Sequence, residues 1–108
     1  MELTKESEKL LCLIYADFLK KRKADLSKTK SKLLGSSYDI HQHLCSDWDF
    51  EDVDDSCREL NRAELLDCFW ADGIAYNVSL TDIGISHMEN RFKNNLNEIT
   101  DFITKFIP

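Results

Sequence analysis

Glycine and proline are scarce in this chain of 108 residues: three Gly, and a single Pro at position 108. That shortage excludes a collagen-like or loop-rich chain and predicts one rich in helix. Also missing is any apolar run near the roughly 20 residues that a bilayer-spanning helix needs, so no membrane partner is expected. Leu10 to Ala16 is apolar, but Glu2, Glu6 and Glu8 precede it where a signal peptide would be basic, which favours a cytoplasmic protein. Cys12, Cys45, Cys57 and Cys68 form no C-x-x-C pair and no disulfide framework, and in an intracellular chain such cysteines behave as small buried hydrophobes. There is no glycine-rich phosphate loop, no nucleophile elbow and no His–carboxylate–nucleophile pattern, so neither enzymatic activity nor a cofactor is expected. His87, next to Met88, reads as a helix-surface or packing residue rather than a base.

What is present is charge of both signs, unevenly placed. The net charge is −6. Lys20, Lys21, Arg22, Lys23, Lys28, Lys30 and Lys32 stand close together against Asp25 alone. From Asp47 to Asp72 carboxylates dominate, with Arg58 and Arg62 the cations of that stretch. One face therefore suits an anionic partner and another repels it, unless both are simply solvated.

Length and composition fit one domain over residues 1–108. Thr4 can cap a first helix, with Leu10, Leu11, Ile14, Tyr15, Phe18 and Leu19 on its buried face. Residues 25–34 form a basic linker or a short helix. Ser36 and Asp39 have capping-box spacing and open a short helix through Ile40 and Leu44. After the turn at Ser46-Asp47-Trp48, Asp49 and Asp52 repeat that logic, opening a helix with Phe50, Val53, Cys57 and Leu60 inward and Asp52, Asp55, Ser56 and Glu59 outward. Two helices joined by so short a turn form a helix-turn-helix arrangement. Leu65–Trp70 and Ile74–Leu80 read as strands joined at Asp72-Gly73, the favoured pair for a two-residue hairpin. With that turn Trp70 opposes Ala75 and Phe69 opposes Tyr76, leaving an aromatic exposed on the hairpin. Leu80-Thr81-x-x-Gly84 then opens a helix expected to run over 82–107. Its seam is Ile85, Met88, Phe92, Ile99, Phe102 and Phe106, widened by Leu96 and Ile103, with Asn95 as the polar member. About 25 such residues reach about 37 Å, as long as a domain this size is wide. The expected core is Leu10, Ile14, Phe18, Leu44, Val53, Leu60, Leu66, Ile85, Met88 and Phe92.

This order predicts a mainly α (α+β) fold, a winged helix-turn-helix with a two-stranded wing and a long C-terminal helix. The phrases Leu34-Gly35-Ser36-Ser37, Trp48-x-Phe50-Glu51-Asp52-Val53-Asp54, Cys57-Arg58-Glu59-Leu60, Met88-Glu89-Asn90-Arg91-Phe92-Lys93 and Asp101-Phe102-Ile103-x-x-Phe106-Ile107-Pro108 carry a resemblance over nearly the full length. The chain resembles a group of small, functionally uncharacterised winged-helix proteins from Gram-positive bacteria and their mobile elements. The resemblance implies the fold and carries no activity with it. One position departs from the winged-helix pattern: Glu64 stands where Gly commonly caps the recognition helix.

Three functions remain open, one of them a protein-interaction or assembly role without a specific motif. A DNA-binding transcriptional regulator would hold phosphates with Lys20, Lys21, Arg22, Lys23, Lys28, Lys30, Lys32, Ser36 and Ser37, and read duplex DNA with Arg58 and Arg62. Alternatively, Asp47, Asp49, Asp52, Asp54, Asp55 and Glu59 form an acidic interaction face that imitates DNA and binds a basic protein surface. The C-terminal helix is expected to make a homodimer through Leu96, Ile99, Phe102, Ile103 and Phe106. His41, His43 and Cys45 suggest zinc, but no second ligand pair has metal spacing, and Asp47-x-Asp49-x-Glu51 lacks the glycine of a calcium loop, so no metal is expected.

Overall fold

The computed structural model describes residues 2–93 and 95–105, which form six helices and a three-stranded antiparallel sheet in a mixed α+β arrangement. Helix α1 (Lys5–Lys23) starts at Thr4, whose hydroxyl accepts from the Ser7 N–H, and carries Glu6 and Glu8 in its first turn and four cations in its last, both favourable to the dipole. Leu10, Leu11, Ile14, Tyr15 and Phe18 bury its inner face as their spacing predicts. The basic segment resolves into the short helix α2 (Lys28–Ser31), capped by Ser27, and a strand, β1 (Leu33–Gly35).

Helix α3 (Ser37–Leu44) has the full capping box of Ser36 and Asp39. In α4 (Phe50–Arg62), Asp49 holds the N-cap position but its side chain makes no capping hydrogen bond, so the repeat of the cap logic does not hold there. Val53, Cys57 and Leu60 are fully buried. Apolar side chains of this kind contribute about 1.5–3 kcal/mol each on full burial. Ser56, expected to face outward, is buried as well, at 4% exposure.

At the end of α4 the Leu65 N–H donates to the Leu60 carbonyl and the Glu64 N–H to the Asn61 carbonyl, with Glu64 at φ +64°. This is a Schellman closure made without glycine. Strands β2 (Leu66–Ala71) and β3 (Ile74–Leu80) follow, joined at Asp72 (φ +54°) and Gly73 (φ +79°), the positive pair that the Asp-Gly turn predicts. Trp70 opposes Ala75, but the register then shifts and Phe69 opposes Asn77. Tyr76 is the extra residue of a bulge, so the expected Phe69–Tyr76 pair is absent. The strand order is β1-β3-β2: Leu33–Gly35 adds a third strand to the two that were expected.

The expected single helix over 82–107 is two. Helix α5 (Asp82–Phe92) is capped by Thr81, whose hydroxyl accepts from the Gly84 N–H and donates to the Glu64 carbonyl, tying it to the end of α4. A Cβ on Gly84 would collide with the Leu65 carbonyl oxygen, so only glycine permits this approach. Lys93 takes a left-handed conformation at φ +48°, and Asn95 starts α6 (Leu96–Thr104) by accepting from the Asn97 and Glu98 N–H groups. The polar member of the seam is thus a cap, since an Asn side chain satisfies N–H groups that a helix start leaves open.

The break folds α6 back on α1 of the same chain. Ile99 is fully buried there, and Phe92 meets Phe102 edge-on at 5.5 Å. Among the described residues the overhang that motivated a homodimer is absent: Ile99 is buried, and Leu96, Phe102 and Ile103 pack half-buried against their own core; Phe106 lies outside the described residues. Every expected core residue is buried except Leu44, which packs against the core from its edge. No described helix is long and apolar enough to cross a membrane.

Two stability measurements check this architecture. Ile99→Ala should cost about 2–5 kcal/mol in urea unfolding; a helix projecting into solvent would lose almost nothing. Glu64→Gly should raise stability by about 0.5–1 kcal/mol, because glycine adopts the left-handed cap without a Cβ clash.

Candidate interaction face

Several of the cations proposed for DNA have partners within the fold. Lys21 pairs with Asp17 at 2.8 Å and also donates to the Leu33 carbonyl, and Arg22 donates to the Leu26 carbonyl. Lys28 and Lys32 both hold Asp82, at 3.3 and 2.6 Å, which lowers the Asp82 pKa, chiefly through the Lys32 hydrogen bond, and straps α2 to the start of α5. Arg58 lies over the Trp70 ring at 4.2 Å and donates to Asp54 Oδ2 (3.3 Å) and the Gly73 carbonyl (2.9 Å). It braces the hairpin rather than standing free to read a base. Arg62 is exposed at the end of α4, near Glu59. Ser36 is committed to Asp39, whose pKa is lowered chiefly by the Ser36 N–H, and Ser37 is buried with its hydroxyl unpartnered among the described residues. Lys20, Lys23 and Lys30 are exposed and make no ion pair among the described residues.

The carboxylates are better assembled. Asp54 is turned inward, 7% exposed, where Oδ1 accepts from the Ala75 N–H at 3.0 Å. The other five flank two adjoining grooves between the N-terminal turns of α1 and the outer side of α4. The first, about 450 Å³, is lined by Asp47, Trp48, Asp49 and Asp52 with Lys5, Glu6 and Lys9. The second, about 510 Å³, is lined by Asp52, Asp55, Ser56 and Glu59 with Thr4, Lys5 and Glu6. Asp52, Lys5 and Glu6 belong to both, so the two lie side by side as a double channel with shared wall residues. Glu59 closes it by accepting from the Thr4 N–H, the Thr4 hydroxyl and the Ser7 hydroxyl, each at 2.8 Å.

Trp48 was not singled out from the sequence, yet it is half-buried at the mouth of the channel with the Lys9 ammonium 5.6 Å from its ring. Its placement comes from α3. The His41 Nε2 lies 2.7 Å from the Trp48 carbonyl, and since a carbonyl can only accept, that nitrogen carries the proton. The signal that could have found Trp48 is an aromatic between two carboxylates, Asp47-Trp48-Asp49.

His43 donates similarly to the Asp39 carbonyl, and Cys45 is buried, its thiol pushed up to about 11 first by burial and then by Asp47. Among the described residues no group of three or more His, Cys, Asp or Glu side chains is placed to hold a metal. Burial likewise raises the Cys12 thiol to about 12, the half-buried Cys68 thiol to about 11, and the Cys57 thiol further still. Compared with known proteins, the chain matches no family model, and no curated protein or solved structure matches it significantly.

The Glu59 bridge predicts an acid-sensitive link between α1 and α4. Partial burial pushes the Glu59 carboxyl up, but the hydrogen bonds from Thr4 and Ser7 outweigh it, so its pKa lies below the ordinary 4.5. A lowered folded pKa stabilises the fold above the unfolded value, and this contribution is lost as pH falls through the folded value. Glu59→Gln should therefore be less stable than the parent at neutral pH, with the gap closing below about pH 4.5 in thermal melts. A gap independent of pH would remove the bridge from the ledger of ionised contacts.

Proposed function

We propose that the chain is a winged-helix regulatory domain whose working surface is the acidic channel between α1 and α4, and that its partner is a basic protein surface. The order α1–β1–α3–α4–β2–β3, the β1-β3-β2 sheet and the closely joined α3–α4 pair support the fold assignment. The observation that carries the functional reading is the pair of adjoining grooves: Asp47, Asp49 and Asp52 stand with Trp48 in the first, and Asp52, Asp55 and Glu59 line the second. Carboxylates at fixed spacing on a rigid helix attract Lys and Arg from a distance and imitate a phosphate row, while an exposed Trp face adds a cation–π contact once the guanidinium is desolvated. Lys9 already sits over that ring, so an incoming arginine displaces it.

In the usual helix-turn-helix mode α4 would enter the major groove. Its exposed Glu51, Asp52 and Asp55 would then face phosphates, and like charges at an interface suppress association. A duplex-binding reading keeps one observation in its favour: Lys20, Lys23 and Lys30 are exposed without ion pairs among the described residues.

Two titrations separate these readings. A fluorescent arginine-rich peptide should bind with an affinity that falls steeply with salt, and Asp49→Lys with Asp52→Lys should weaken it by about tenfold or more. Pooled duplex DNA should show no gel retention at about 50 mM salt, where phosphate contacts are least screened. Retention lost on changing Lys20, Lys23 and Lys30 to Glu would instead establish the duplex reading.

A further inference from the structure

The seam along α5 and α6 keeps its heptad spacing straight through the break between them. Ile85, Met88, Phe92, Asn95, Ile99 and Phe102 follow one another at alternating intervals of three and four residues, the pattern of one uninterrupted helix. No Pro or Gly lies between Ile85 and Ile107 to forbid that helix. Two local features turn the chain instead. The Lys93 N–H still donates to the Glu89 carbonyl at 2.8 Å, the last link of α5, but its φ of +48° leads the backbone out of the helix. Asn95 then caps the start of α6. These features pull in opposite directions: the cap favours a new helix, whereas a left-handed lysine is strained by its Cβ, and continuing the helix relieves that strain.

In the bent form α6 lies on α1, with Ile99 fully buried. Arg91 of α5 pairs with Glu8 of α1 at 2.8 Å and lies over the Phe102 ring at 4.1 Å, and Phe92 meets the same ring. In a straight helix Arg91 and Phe102 stand about three turns apart, about 16 Å, so one chain cannot make that contact with itself. Straightening therefore carries α6 off the α1 of its own chain and leaves two apolar surfaces uncovered at once. What fits the vacated α1 surface is α6 of a second copy, because it brings the same side chains in the same order.

We propose that this chain dimerises by exchanging α6: residues 82–104 straighten into one helix, and Ile99 and Phe102 of each copy pack on α1 of the other. A short hinge under strain favours such exchange, since both copies recover the contacts they gave up and only the hinge differs. Protein concentration then decides between bent monomer and exchanged dimer. The dimer needs no projecting helix and no new face, because its interface is the α1–α6 contact already present within one chain. It does not depend on the reading given for the acidic grooves.

The test refolds the full chain from urea at about 10 μM and about 1 mM and follows it by light scattering after gel filtration. The parent should be monomeric at the lower concentration and partly dimeric at the higher. Lys93→Ala with Asn95→Ala removes both the strained turn and the cap, and should tighten self-association by about tenfold or more. Lys93→Gly adopts the left-handed turn without strain and should loosen it. Circular dichroism verifies that the double variant keeps its helix; if it does not fold, the parent and Lys93→Gly carry the test between them. A dimer formed from equal parts of isotope-labelled and unlabelled chains should show Phe92–Phe102 contacts between chains by isotope-filtered NMR. A dimer without those contacts is an ordinary face-to-face association and overturns the proposal. A parent that stays monomeric at about 1 mM overturns it whatever the variants do, as does self-association that no folded hinge variant alters.

Discussion

The Asp54 carboxylate holds the two halves of this molecule together. It leaves α4 on the buried side, accepts from the Ala75 N–H of β3 and meets Arg58, whose guanidinium reaches the Gly73 carbonyl at the hairpin turn and covers Trp70. A carboxylate at that depth is tolerated because both oxygens are engaged, one by a peptide N–H and one by a cation. Asn61, two turns on, accepts from the Cys68 N–H of β2, and Glu59 ties the opposite side of the helix to the start of α1. One helix therefore fixes the angle of the hairpin, the position of the first helix and, through Val53, Cys57 and Leu60, the centre of the core. Removing Asp54 alone would leave the buried Ala75 N–H without its acceptor, a larger loss than one surface ion pair.

The candidate surface inherits its rigidity from that helix, since the channel carboxylates lie on α4 or just before it. The basic residues, by contrast, are largely consumed in bracing: Lys21 on α1, Lys28 and Lys32 on α5, Arg58 on the hairpin. Lys20, Lys23 and Lys30 of the same basic segment stay exposed, with no ion pair among the described residues.

Much of the fold was legible from local chemistry. The Ser36–Asp39 capping box, the Asp72-Gly73 turn and the helical spacing of Leu10, Ile14 and Phe18 each specify their structure through a few neighbouring residues. What escaped were features decided at long range. Leu33–Gly35 is a strand only because β3 offers it an edge, and the bulge at Tyr76 depends on how the hairpin meets α4. Asn95 looked like a polar interruption of a seam because capping and interrupting a helix call for the same residue. Glu64 reads against the left-handed cap it adopts, where the geometry of α4 and β2 overrides local preference. Of the candidate site, the acidic run was plain in the sequence. That Asp54 turns inward was not, and Trp48 gained its place only once α3 and α4 were set at their observed angle.

The four thiols give the folded chain a built-in clock. Thiolate is the form that reacts with alkylating agents, and burial holds every one of these thiols well above its ordinary range. Cys68, half-buried on the hairpin, is open to reagent through small local fluctuations, whereas Cys12, Cys45 and Cys57 sit in the core and wait for larger openings. The order in which the sulfurs are modified thus records the hierarchy of motions from hairpin to core, with no label added to the protein.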